Sequence, residues 1–194
     1  MIDNELFNNF NLKLTHREPI TVSVDYSCLD KKPQYDMALI NGWDRKGIVE
    51  LKGTETMVSE FNKANPGVRE KLKEQYLSLG KLKPSPSALY GRFMYNEVVF
   101  NAPPTMRDGK DVSYYSSEFK KLMFPRGFQS ENDYYDVMHI SIHYLFARDI
   151  FLTRNVKHFR TNELQQRFND LAILTPCECV NLLNRCLTTL GRQG

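Results

Sequence analysis

The chain has no uninterrupted apolar run approaching the roughly 20 residues that span a bilayer, so neither a membrane helix nor a membrane partner is expected. No signal peptide precedes its four cysteines, Cys28, Cys177, Cys179 and Cys186, and they lack the paired Cys-x-x-Cys spacing of a metal site. Reduced thiols in a cytoplasmic protein are therefore expected ahead of disulfides. Charge of one sign is also scarce. A formal net charge of +3 is too small to name a nucleic-acid partner, so the local distribution of basic residues matters more than their total. A P-loop, a dinucleotide-binding fingerprint and a Ser-His-Asp order are missing, and with them the signatures of three large enzyme classes. Repeats and low-complexity tracts are missing too.

What is present suits one α/β domain over residues 1–194, since 41% apolar residues with 12% aromatics can build a sizeable core. Residues 1–18 scatter Leu6, Phe7, Phe10, Leu12 and Leu14 without a strong period, and read as an N-terminal extension that is a strand, a short helix or an arm. Over 19–24, Ile20, Val22 and Val24 alternate with polar partners, as in a strand that ends at Asp25. Residues 35–43 have partly helical spacing, and 48–51 read as a second strand. An enlarged middle segment covers 66–130. There, 68–82 reads as a charged amphipathic helix, Pro84, Ser85 and Pro86 as a loop, 97–100 as a third strand, 103–110 as turn chemistry and 114–123 as a helix.

The stretch 133–159 says most about function. Met138, Ile140, Ile142, Leu145 and Phe146 give a helix a broad apolar surface, with Asp136 in its early turns. The apolar strand 150–152 follows, and then Thr153, Arg154 and Asn155, where an open parallel sheet places ligand-binding groups beyond its strands' carboxyl ends. Asp133, three residues before Asp136, is either a helix-start acid or a supplementary ligand. His139 and His143 stand four apart on one helix face, a spacing only weakly specific for zinc. Thr175, Pro176 and Glu178 read as the N-cap, first-turn proline and capping-box acid of the last helix, which accounts for the flanking cysteines without a metal. Arg154, Lys157, His158 and Arg160 form one basic cluster, and Lys120, Lys121 and Arg126 a second. Both suit phosphates, and the aromatics of 88–128 suit unpaired bases; a solvated basic face over core aromatics is the competing reading.

Asp136, His139 and Ile140, followed by Thr153, Arg154, Asn155 and Phe159, resemble the D-x-x-H-I helix and T-R-N strand end of PIN domains, the family of metal-dependent nucleases that includes the VapC toxins. Leu171, Ala172, Ile173, Leu174, Thr175 and Pro176 resemble that family's last strand and the start of its last helix. Asp25, Ser27, Leu29 and Asp30 resemble its opening motif, and residues 54–60 its second motif, with Glu60 the better match to the acid and Glu55 the rival. The resemblance implies a three-layer α/β/α sandwich with a mainly parallel central sheet. It also implies an endonuclease that hydrolyses phosphodiester bonds, in RNA ahead of DNA.

In that reading Asp25, Glu60 and Asp136 bind Mg²⁺ or Mn²⁺ with Asn155 in support, while Ser27, Arg154, Lys157 and Arg160 serve the nucleic acid. Such hard cations take oxygen ligands, activate water and neutralise charge on the phosphate. Crowded carboxylates also raise at least one carboxyl pKa when no metal is bound. Asn155 departs from the fourth Asp of many PIN domains, and a neutral amide weakens a second metal position. That departure motivates the alternative, a PIN-like nucleic-acid-binding or scaffold module with little hydrolysis. The implied partners are single-stranded RNA and, for a toxin, an antitoxin over the site; a homodimer stays open.

Overall fold

A computed structural model describes residues 4–29, 35–54, 57, 63, 65–70, 74, 83–85, 107–110 and 112–191. Five strands form its centre: β1 (Ile20–Val24), β2 (Val49–Thr54), β3 (Lys83–Ser85), β4 (Ile150–Leu152) and β5 (Ile173–Leu174). All pair in parallel, in the order β3-β2-β1-β4-β5. Helices cover both faces, so the chain is an α/β/α sandwich.

One layer holds α1 (Asn4–Thr15), α2 (Tyr35–Arg45) and the last helix, Pro176–Thr189; the other holds Val112–Met123, Glu131–Leu145 and the short helices Val156–Phe159 and Asn162–Arg167. In chain order the helices after α2 are α3 (Val112–Met123), α4 (Glu131–Leu145), α5 (Val156–Phe159), α6 (Asn162–Arg167) and α7 (Pro176–Thr189).

The strand pleat distributes side chains between the two layers. Ile20, Val22 and Val24 of β1 and Ile150 and Leu152 of β4 enter the core with Ile40, Trp43 and Leu183, whereas Phe151 enters the opposite core with Phe119, Ile140 and Phe159. Burial on both faces is why β4 reads as a continuous apolar run. Phe151 is 1% exposed, and truncating such a ring to alanine costs about 3–5 kcal/mol.

The amino ends of β1 and β4 are locked together. Asp149, just before β4, accepts hydrogen bonds from the Thr21 amide and hydroxyl, both at 2.8 Å, and from Lys13 of α1 at 2.6 Å, while its own amide donates to Thr21 O. Beside it the buried Arg148 donates to Ser23 Oγ at 2.9 Å. Burial lowers the Arg148 pKa to about 10, which leaves it charged at neutral pH.

The structure settles one open expectation and changes another. The N-terminal extension is a helix: Phe10 and Leu14 lie one turn apart in the core, with Leu6 and Phe7 packed behind them, and Leu12, 60% exposed, obscures the period. Pro84 sits in β3 where a loop was expected. It is tolerated because β3 is an edge strand and needs ladder bonds on one side only. The expected strand at 97–100 lies outside the described residues. The helix at 114–123 is present, one turn's fraction longer, and 66–70 is helical close to the expected start of the 68–82 helix. The four cysteines are free thiols, three of them buried. Among the described residues no helix is long and apolar enough to cross a membrane.

Candidate functional site

Chain order reverses on either side of β1, whose neighbours β2 and β4 run to opposite edges of the sheet. At such a switch point the loops beyond the carboxyl ends diverge and leave a crevice. β1 and β4 here lead directly into Asp25 and Thr153, and the crevice beside them measures about 280 Å³. Asp25 and Ser27 wall it from β1, Asp133 and Asp136 from α4, and Asn155 and His158 from the turn after β4.

Each carboxylate is held by its own set of donors. Asp25 is 3% exposed, and its Oδ2 accepts from Ser27 Oγ at 2.5 Å and from Thr153 Oγ1 at 2.7 Å. The same hydroxyls receive the next backbone amides, Arg154 N to Ser27 Oγ and Asn155 N to Thr153 Oγ1, both at 3.0 Å. Strand end, carboxylate and following turn therefore form one network, and a Thr153→Ala change would break three of its bonds at once, those to Asp25, Ser27 and the Asn155 amide. Asp136 reaches the crevice from the second turn of α4, because the helix begins at Glu131 behind its N-cap Ser130. Its Oδ2 accepts from Asn155 Nδ2 at 3.2 Å and lies 2.9 Å from His158 Nδ1.

The two acids at the start of α4 have different electrostatics. Asp133 completes the capping box: it accepts from Ser130 Oγ and from the Gln129 and Ser130 amides. Burial pushes its pKa up, but those donors outweigh burial and hold it below the ordinary value. Of the two roles open to Asp133, the geometry therefore gives it the helix-start one. For Asp136, burial dominates and lifts its pKa to about 6; the His158 hydrogen bond opposes the rise and the charge of Asp25 adds to it. Burial, then the Asp25 charge, likewise keeps the Cys28 thiol protonated.

The Oδ1 atoms of Asp25 and Asp136 receive no hydrogen bond among the described residues. Two carboxylates with unused oxygens, beside the carbonyl of an amide, are the hard donor set that Mg²⁺ or Mn²⁺ takes, with water and substrate phosphate filling the other positions. The residues present fit such a cation. Among the described residues no group of three or more His, Cys, Asp or Glu side chains is placed to hold a metal ion.

Comparison with protein-family models, curated proteins and solved structures returns no match to this chain. The site is accordingly read from its own geometry.

Of the residues singled out in the sequence, Asp25, Ser27, Asp133, Asp136, Asn155 and His158 meet in the crevice. Arg154 and Lys157 are exposed beside it. Glu60 and its rival Glu55 lie outside the described residues. Three residues beyond Glu60, Lys63 bonds Glu131 and the Tyr135 hydroxyl, and its ammonium sits 4.9 Å above the Tyr135 ring. Arg160 is engaged away from the crevice: it pairs with both oxygens of Glu178 and donates twice to Ile173 O, so its guanidinium ties the turn to β5 and α7. His143 packs edge-on against Phe151 at 5.4 Å, inside the core. Thr153 and His158 were singled out as strand-end and basic-cluster residues, but their roles as donor to Asp25 and partner of Asp136 were not. The spacing of Asn155 and His158, three apart in a helical turn, was the available signal for the second.

Proposed function

We propose that this chain is a PIN-like, divalent-metal-dependent endonuclease that hydrolyses phosphodiester bonds in RNA, working in the cytoplasm. The observation that carries the reading is the pairing of Asp25 and Asp136, from separate elements, in one crevice at the carboxyl end of a parallel sheet, close enough that the charge of one raises the pKa of the other. A bound Mg²⁺ or Mn²⁺ would activate water and neutralise charge on the phosphate. The chain's own residues orient and hold. Ser27 and Thr153 fix Asp25, Asn155 and His158 fix Asp136, and the exposed Arg154 and Lys157 attract the phosphate backbone. Glu60 is proposed as the third carboxylate, and for a toxin an antitoxin would cover this crevice.

The alternative, a binding or scaffold module with little hydrolysis, draws on Asn155, whose amide donates to Asp136 where a carboxylate would add charge. Cleavage of a labelled single-stranded RNA pool across a Mg²⁺ and Mn²⁺ titration separates the two. Metal-dependent cleavage abolished by Asp136→Asn, with the fold retained on melting, is expected. Cleavage that survives both EDTA and Asp136→Asn would sink the metal mechanism, and RNA binding without cleavage at any metal concentration would favour the module.

A further inference from the structure

The turn between α3 and α4 builds a surface that the carboxylate crevice does not use. Gly127 N donates to Phe124 O at 2.9 Å and closes a β-turn with Pro125 at its second position, where a fixed φ near −65° is favoured. Gly127 itself has a φ of +85°, which a side chain would strain. The closed turn leaves Arg126 exposed at its tip and brings the Phe124 and Phe128 rings edge to face, 5.7 Å apart. The row of rings continues both ways: Phe124 meets His158 at 5.8 Å, and Phe128 meets Tyr134 at 6.0 Å. Since His158 is a wall of the crevice, the row starts there and leads outward.

Charge accompanies the rings. Phe124, Phe128 and Tyr134 are each half-buried, whereas Lys120, Arg126, Arg154 and Lys157 are exposed. The Phe124–His158 contact joins the basic cluster of 120–126 to that of 154–157, which are distant in sequence. The Lys120 ammonium stands 4.7 Å above the Phe128 ring, an interaction weak enough at a solvent-exposed site to be exchanged. Nearby acids are engaged within the protein: Asp133 in the capping box and Glu131 with Lys63.

We infer that the Phe124–Phe128–Tyr134 row is a base-binding platform for single-stranded RNA, whose phosphates lie along Lys120, Arg126, Arg154 and Lys157 and whose strand leads into the crevice. Unpaired bases offer flat faces for rings together with phosphates for cations, whereas a duplex hides those faces. A base over Phe128 displaces Lys120, and the released ammonium takes the adjoining phosphate. The inference rests on the nuclease reading for what happens in the crevice, but not for binding.

The test uses the full chain in EDTA, so binding is read without cleavage. The probes are a fluorescein-labelled mixed-sequence RNA strand, the same strand annealed to its complement, and the same strand with abasic positions. The plain strand is expected to bind at least about tenfold more tightly than either other probe. Phe128→Leu and Phe124→Leu keep apolar volume and remove the ring; each is expected to weaken the plain strand about tenfold and leave the abasic strand unchanged. Arg126→Gln is expected to weaken all three probes alike. As a measurement on the unaltered protein, 5-iodouridine in the strand is expected to crosslink to Phe124, Phe128 or Tyr134. Equal affinity for strand, duplex and abasic strand, or crosslinks confined to other residues, overturns the platform and leaves the surface to a protein partner. Strand-selective binding in a protein that never cleaves would uphold the platform and reject the nuclease. Metal-dependent cleavage with strand binding indifferent to both leucine variants would do the reverse.

Discussion

At Asp136 the local environment sets stability against charge. Its pKa rises from 3.8 to about 6, so the folded state favours the protonated acid. Its contribution is most favourable below pH 3.8, declines as pH rises from 3.8 to 6, and stays low above that. Asp136→Asn removes the ionisation and should stabilise the metal-free protein above pH 7, by on the order of 2 kcal/mol, while making little difference below pH 4. Melting curves in EDTA across that range check both limits; a variant less stable at pH 8 would contradict the burial account. Asn155→Asp should do the opposite, because it sets a new negative charge beside Asp136 Oδ2, where the amide now donates. A lower melting temperature in EDTA and a larger rise on adding Mn²⁺ are expected, since a ligand that binds only the folded state stabilises it by mass action.

At the scale of elements, the contact between the turn after β4 and the start of α7 rests on one ion pair. Arg160, aided by the Thr175 amide and hydroxyl, holds the Glu178 carboxyl at about 2. A depressed acid contributes stability above its unfolded value near 4.5 and loses it as pH falls from there toward 2. Glu178→Gln should flatten the acid limb of the stability profile over that window, measured by melting at fixed ionic strength. The effect is discounted for the 40% exposure of the side chain.

The same contact shows where sequence reading stops. Asp25, Ser27, Asp136 and Asn155 could be singled out because each stands within a few residues of a strand end or helix start and matches a motif of the resembled family; that they share one crevice was implied by the resemblance and not by local spacing. The engagement of Arg160 by Glu178 was not, because nothing in either turn announces that the two helices meet. For a related reason residues 1–18 read equally as strand, short helix or arm: Phe10 and Leu14 of α1 share a core with α7, whose sequence lies far along the chain.

Across the whole molecule, the basic residues that follow β4 divide by what they can reach: Arg154 and Lys157 are exposed, whereas Arg160 is half-buried on Glu178. Changing Arg154 and Lys157 together to alanine should weaken RNA binding and flatten its salt dependence, because fewer counterions are released on binding. Arg160→Ala should instead lower the melting temperature and leave the salt slope near that of the unaltered protein. A titration of RNA affinity against salt for both variants tests the division; equal slopes in all three proteins would remove Arg154 and Lys157 from the interface. The three-layer arrangement was implied by the family resemblance, and of the fold only the α/β class was legible in the alternating apolar strands and helices. The pairing order was not, because register between strands such as β1 and β4 depends on contacts like Asp149 with Thr21 that no local pattern encodes.

The order of the strands also has a consequence for synthesis on the ribosome. Asp25 emerges early, but its neighbour in the sheet, β4, is made more than a hundred residues later, and α7, which packs on both α1 and α2, comes after that. The crevice can be assembled only after β4 has emerged, and the layer behind it closes only when α7 follows. If the chain cuts RNA as proposed, its crevice would be incomplete, and the message being translated spared, until β4 and α7 had been made, so that topology would time the activity.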